Sequence, residues 1–468
     1  MVSVFEWLRV LVALIVIPNL IACATFVPMA RFLRGYINID VLVLAALLVF
    51  LPSRIVFGLI TIDLLFDLFE PVAHIYYFTP ADALDAVKYI GLLPYPTLAA
   101  YASGVIAYLA VAAGSIYLIL PRKVAGAKLV PVVLIALAVL ALGSDISRGR
   151  YVSQHTDTIT GRAHLVRMPA VVLAYTLVQR TRIAEYWTRP QPSVPVDSAS
   201  EIILSKYRAA ILDEHVNVVL VLVESWGMLR NSVAAAEILQ SYETPALRKR
   251  YRLETGLVPF FGATLEGETR ELCGHTFSHG VASASADELR SCLPAVFHDH
   301  GYLTVGINNF EARMYGRDRW FPRIGFGTSL FRPDLARMGM RTCPGGLIGT
   351  CDVDVAKFIG YRLLQAGPAT PVFIHWVTLN SHIPFDKKGP ESDYCKTGTS
   401  EEETLCIWSR LVQNAHRAIA HVASEERLTP TVFIVVGDHA PPFFSQGLRD
   451  AFSQQQVPFI ALVPRELE

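Results

Sequence analysis

The run VNVVLVLVESWG, Val216 to Gly227, decides how the polar half of the chain is built. Its apolar residues do not alternate with polar ones, so both faces of the strand it predicts must be covered, as in a parallel strand between two helical layers. Runs of the same kind recur at LTVGINN, PVFIHWVTLNS, TVFIVVGDHA and VPFIALVP. Between them stand helix-like stretches: one near Ser232 to Ser241, ELRSCLPAVFHDHG, and LCIWSRLVQNAHRAIAHVAS. The alternation predicts an α/β domain with a mainly parallel sheet covered by helices.

In such sheets ligands gather at the carboxyl ends of the strands. Three of those ends finish in metal-type side chains. The first run delivers Glu224, TVFIVVGDHA delivers Asp438 and His439, and His382 follows PVFIHWVTLNS. Carboxylates with imidazole suit one divalent cation, zinc or manganese. An acid at a strand end is often only a helix cap, and a lone histidine is often a core or surface residue. It is the coincidence of three such ends that predicts a site.

A metal held this way leaves a position open for a reacting group. The segment FFGATLEGETRELCGHTF, Phe260 to Phe277, concentrates Thr264, Glu266, Glu268, Thr269, Arg270, Glu271, Cys273 and His275. A threonine hydroxyl acidified by a cation can attack phosphorus, and Thr269 is the expected nucleophile. The bland reading is that Thr264 or Thr269 caps a helix beginning near Glu271. The two are compatible, because a helix N-terminus also offers amides to a phosphate.

Composition places the rest of the chain in a membrane. Of 468 residues, 52% are hydrophobic, above ordinary soluble composition, and Lys plus Arg balances Asp plus Glu at 41 each, so charge gives no reason to expect nucleic acid. The apolar residues concentrate before Asp145, in runs starting at Phe5, Val41, Ile55, Thr97 and Lys128. These predict five transmembrane helices, the first retained rather than cleaved, with Pro52, Ser53 and Arg54 as a tight turn. A modest excess of basic residues on the predicted inner loops sends everything after Asp145 outside. Asp63, Asp67 and Glu70 recur at helical spacing near the outer end of the third span, where they either receive a cationic head group or simply protrude into water. ADALDAVKYIG, from Ala81, and RMPAVVLAYTLVQ read as interfacial segments. RPQPSVPVD, rich in proline, marks a boundary. The expected organisation is a transmembrane domain over 1–145, an interfacial helix and linker over 146–200, and a catalytic domain over 201–468.

Cysteine usage agrees with export. Six of the seven cysteines lie in the polar half, in three locally spaced couples, as disulfides in an oxidising compartment would. The expected pairs are Cys273 with Cys292, Cys343 with Cys351, and Cys395 with Cys406; buried free thiols are the alternative.

VESWG, TLEGETRELCG, LNSHIPF and GDHAPPF resemble motifs of the membrane-anchored transferases of the alkaline phosphatase and sulfatase superfamily, which include phosphoethanolamine transferases and lipoteichoic acid synthases. The resemblance implies five transmembrane helices, an extracytoplasmic sulfatase-like domain in a bacterial inner membrane, and a metal-activated threonine that moves a phospho-alcohol head group. The donor would be a phospholipid, phosphatidylethanolamine or phosphatidylglycerol, and the acceptor a cell-envelope glycan or glycolipid. Residue by residue it implies Glu224, Thr269, Asp438 and His439 as metal ligands, Thr269 as nucleophile, and His382 at the phosphoryl or leaving group. ATLEGET and MYGRD look like the phosphoglycerol branch, with Tyr315 and Arg317 holding glycerophosphate; a surface ion pair of Arg317 with Asp318 or Glu311 is the alternative. The cysteine couples look like the phosphoethanolamine branch, although that branch's further histidine after the aspartate-histidine pair is missing. Phosphoethanolamine is therefore the expected group, with phosphoglycerol transfer or a phosphatase or sulfatase type of hydrolase as alternatives. A sulfatase proper needs a Cys/Ser-x-Pro-x-Arg sequence, and none stands at the site.

Overall fold

The computed structural model describes residues 8–9, 12–17, 20–21, 39–47, 50–68, 75–78, 86–119, 132–133, 135–140, 194–277, 280–367, 369–386, 395 and 398–467. The chain forms two compact units, one built mainly on residues up to Arg189 and the other on those from Pro190 onward.

In the first unit, helices α1 (Ile39–Ala46), α2 (Ser53–Asp67) and α3 (Tyr95–Ile119) pack through Leu42, Ala46, Val56, Ile60, Leu64, Ala112 and Ile116. Branched aliphatic side chains fill most of this contact, with the small Ala46 and Ala112 between them. Ile62 of α2 and Ile106, Val111 and Leu118 of α3 are exposed, as is Phe50 in the turn between α1 and α2. Between α1 and α2 the backbone turns where the sequence predicts, with Ile55 N–H donating to the Pro52 carbonyl. Among the described residues, α3 alone is long and apolar enough to cross a membrane; α1 and α2, on the second and third expected spans, run for only 8 and 15 residues, and the first and last expected spans are described only in part. Asp63 is buried within this unit, so it does not protrude into water. Residues 86–92 of the segment from Ala81 form mainly a 3-10 turn, while RMPAVVLAYTLVQ lies outside the described residues.

The second unit contains a seven-stranded sheet: β1 (Asn217–Val223), β2 (Tyr251–Pro259), β3 (Leu303–Asn308), β4 (Thr328–Leu330), β5 (Val372–Val377), β6 (Thr431–Gly437) and β7 (Gln456–Pro464). Their order is β2-β7-β6-β1-β5-β3-β4. The five strands from β6 to β4 are parallel to one another, whereas β7 pairs antiparallel with both β6 and β2. Every residue of β1, β5 and β6 is buried, which is why these strands read as unbroken apolar runs. β2, YRLETGLVP, carries no such run because most of it is only half-covered.

The longer helices of this unit are α4 (Ala199–Asp213), α5 (Ser232–Leu239), α6 (Thr264–Cys273), α7 (Leu293–Asp299), α8 (Asp352–Gln365) and α9 (Ser400–Ala423). Ser198 caps α4 through the Glu201 N–H, and the Thr399–Glu402 capping box starts α9. The stretch before α4 is not wholly irregular, since Val194–Pro195 pairs with His275–Thr276. The three disulfides are Cys273–Cys292, Cys343–Cys351 and Cys395–Cys406, the pairs expected from the local couples. Cys273–Cys292 ties the end of α6 to the residue before α7.

Candidate active site

The site follows from strand order. β6, β1 and β5 are parallel neighbours in the middle of the sheet, so their carboxyl ends open side by side. Val223 is paired with Gly437, which puts Glu224 beside Asp438. One oxygen each of Glu224 and Asp438 and one ring nitrogen of His439 lie within 4.8 Å of one another, all buried.

Local hydrogen bonds aim each group. Asp438 Oδ1 accepts from the backbone N–H groups of Ser225 and His439, both at 2.7 Å, and its buried Oδ2 is left without a hydrogen-bond partner. His439 Nδ1 lies 2.9 Å from the Ala440 carbonyl, so it carries the proton and Nε2 presents a lone pair. That lone pair faces Asp438 Oδ2 at 3.3 Å and Glu224 Oε1 at 3.7 Å. Three electron-rich atoms converging in a water-poor site repel one another unless a cation lies between them, so this donor set fits a divalent metal. Ser225, held at φ 55°, returns its hydroxyl to Glu224 Oε1 at 2.8 Å. The Trp408 indole of α9 donates to the Ser225 carbonyl at 2.9 Å, so the far helix layer fixes the loop.

The hydroxyl at this cluster belongs to Thr264, the first residue of α6. Its Oγ1 lies 3.2 Å from Glu224 Oε2 and 3.5 Å from His439 Nε2. Thr269, the expected nucleophile, is placed otherwise: its Oγ1 donates to the Glu266 carbonyl at 3.2 Å. The cause is helix phase. The helix expected near Glu271 ends at Cys273 instead, and it begins at Thr264. α6 is a ten-residue helix whose N-terminal amides also point toward this end of the sheet. It packs closely because residue 267 is glycine; a Cβ there would lie 2.9 Å from the Asp438 Cβ.

Arg270, Glu271 and Glu268 of that segment make buried structural contacts. Arg270 is buried and donates to the carbonyls of Pro259, Gly437 and Asp438. Glu271 accepts from Ser200 N–H and from the Arg270 Nε, tying the start of α4 to the same place. Glu268 pairs with Arg317.

Arg317 is in neither of the positions expected for it. Its Nη2 lies 2.7 Å from Glu268 Oε2, its Nε donates to both oxygens of that carboxylate, and Nη1 donates to the Met314 carbonyl. Both partners are buried, and His375 Nε2 lies 3.5 Å from the same carboxylate. Tyr315 takes the strained φ of 57°, with the Arg317 guanidinium 5.0 Å from its ring centroid. Burial raises its phenol well above the usual value, and the charges of Glu266, Glu224 and Asp438 push the same way against Arg317. The Tyr315 phenol therefore feels the carboxylates of the cluster.

His382 follows the end of β5. Burial lowers its pKa, as it does that of His439, with the Glu224 charge opposing in both cases. Burial acts to raise Glu224, yet the two imidazoles hold it below the usual carboxylate value. Asp438 is pushed well above that value by burial and by Glu224. Two buried carboxylates this close do not both stay ionised without a cation.

The sulfatase family matches residues 216–468, more than half of the chain, and the chain belongs to that family. No curated protein matches it. Solved structures similar in fold include the lipoteichoic acid synthase LtaP from Listeria monocytogenes, at 14% identity and TM-score 0.38 over 53% of this chain and 65% of that one. The Streptococcus pyogenes phosphoglycerol transferase GacH, in complex with sn-glycerol-1-phosphate, matches at 17% and 0.39 over 57% and 78%. The C-terminal periplasmic domain of EcEptC from Escherichia coli, in complex with Zn, matches at 16% and 0.36 over 54% and 74%. The chain spans just under two thirds of LtaP.

Proposed function

We propose that the protein is a metal-dependent transferase that moves a phospho-alcohol head group, phosphoethanolamine, from a membrane phospholipid to a cell-envelope glycan or glycolipid. The observation that carries this reading is the Thr264 hydroxyl at a buried carboxylate–imidazole cluster. A single divalent cation, zinc or manganese, held by Glu224, Asp438, His439 and Thr264, would acidify that hydroxyl and neutralise charge on the phosphoryl oxygens. In the first half-reaction the Thr264 Oγ–phosphorus bond forms, the bond from phosphorus to the diacylglycerol oxygen breaks, and the diacylglycerol leaves as an alcohol. Thr264 loses its proton and the leaving oxygen gains one, a proton that His382 would relay between them. In the second, an acceptor hydroxyl attacks the phospho-threonine, its proton returns, and Thr264 is released. The multi-pass N-terminal unit would hold the domain on the outer face of a bacterial inner membrane, beside its lipid donor.

Ethanolamine is favoured over glycerol because Arg317, the side chain suited to clasp a glycerophosphate, is spent on Glu268 and Met314. The test is peptide mass spectrometry after incubating the detergent-purified, zinc-loaded chain with vesicles of phosphatidylethanolamine or of phosphatidylglycerol. The tryptic peptide Leu253–Arg270 contains both Thr264 and Thr269, so fragmentation must locate the adduct. A phosphoethanolamine adduct on Thr264, absent from Thr264→Ala and retained in Thr269→Ala, is expected. A phosphoglycerol adduct would reassign the donor. Absence of any adduct, with phosphate monoester hydrolysis in its place, would make the protein a hydrolase.

A further inference from the structure

Asp352, the first residue of α8, is a carboxylate buried to 3% exposure that pairs with no cation among the described residues. What surrounds it is a set of N–H donors. Oδ1 accepts from the Leu379 N–H at 2.9 Å and from the Asn309 amide at 2.7 Å, and Oδ2 accepts from the Asn380 N–H at 3.1 Å. The clamp is reciprocal, since the Asp352 N–H donates to the Asn380 side-chain oxygen at 2.8 Å. Burying an unpaired carboxylate is costly, and burial raises this one to about 7. A neutral side chain of the same shape would avoid that cost, but it would turn an N–H group toward one of the donors.

The segment it grips carries His382. The His382 N–H donates to the Leu379 carbonyl at 2.9 Å, closing the turn, and Thr378 and Ser381 bond the backbone of Glu224. The turn is therefore suspended between the Glu224 loop on one side and Asp352 on the other. Asp352 is itself placed by Cys351, bonded to Cys343, and by Asn309, whose side-chain oxygen accepts from Trp376 of β5 at 2.9 Å. The contact is tight enough that a Cβ on Gly349 would lie 2.1 Å from Leu379 Cδ2 and 2.5 Å from the Asn309 carbonyl oxygen.

We propose that Asp352 is a positioning residue for the transfer reaction: through Leu379 and Asn380 it sets the reach of His382 toward the phosphoryl group on Thr264. This role rests on the transferase reading above. It acts through geometry, so its loss should lower turnover more than donor affinity, and it should do so only while His382 is present.

The test is a double-mutant cycle on the full chain in detergent, following diacylglycerol released from mixed phosphatidylethanolamine and phosphatidylglycerol vesicles, with bound zinc measured for each variant. Asp352→Asn should lower kcat by about 10²-fold, the cost of misplacing a reacting group by about an ångström, with KM little changed and zinc retained. In the His382→Ala background the same substitution should cost less than about threefold. Should Asp352→Asn fail to fold, Asn380→Ala loosens the clamp from its half-exposed side and should show the same non-additivity with His382→Ala. Multiplicative losses in the cycle, an unchanged kcat, or loss of zinc from the single variant would each overturn the assignment. A parent protein that releases no diacylglycerol would overturn the transferase reading itself, and this role with it.

Discussion

Replacing Arg317 by Met leaves Glu268 buried with only His375 beside it, which separates a structural arginine from a substrate-binding one. Removing one partner of a buried ion pair costs about 3–5 kcal/mol, because the other charge stays desolvated. For a unit of roughly 270 residues the unfolding entropy is about 0.6 kcal/mol/K, so the melting temperature should fall by about 5–9 °C. The joint Glu268→Met, Arg317→Met variant should recover most of that loss. The pH dependence has a definite sign. Burial works to raise Glu268, but Arg317 and His375 hold it below its usual value of 4.5, so the pair stabilises the fold above that value and the contribution is lost as pH falls through the depressed one. Without Arg317, burial raises Glu268 instead, and the single variant should lose stability as pH rises from about 4 toward neutrality. Melting curves across that range, with the catalytic unit followed in the full chain, give both numbers. A single variant that melts normally and has lost only lipid turnover would refute the reasoning and return Arg317 to the substrate.

Gly267→Ala should gain about 1 kcal/mol of helix propensity in an ordinary helix, yet here it should weaken zinc binding at least tenfold by pushing α6 off Asp438, as read by calorimetric titration. Zinc at a hundredfold excess over its dissociation constant should stabilise the catalytic unit by about 2.7 kcal/mol, and Asp438→Asn should abolish most of that gain in a thermal shift assay. Replacing Cys273 and Cys292 by Ser removes a cross-link across 19 residues and should cost about 3 kcal/mol in denaturant unfolding, with lipid turnover reduced because α6 carries Thr264.

Much of the site was legible because it is local. Glu224, Asp438 and His439 stand directly at the ends of β1 and β6, where unbroken apolar runs announce buried parallel strands, and the cysteine couples lie near enough in sequence to suggest their partners. The choice between Thr264 and Thr269 was not legible. Five residues along a helix turn the side chain by about 140°, so the answer depends on where α6 begins and which face meets the sheet. Arg317 illustrates the same limit, since its partner Glu268 lies in another element 49 residues away. Asp352 carried no signal beyond its place after a cysteine, because its function is a set of backbone N–H groups that converge only when α8 meets the end of β5. The chain alone thus announced the buried strands and the local cysteine couples, each written in neighbouring residues; the half-covered strand β2, helix phase and the pairing of distant charges were decided by packing, which no local pattern encodes.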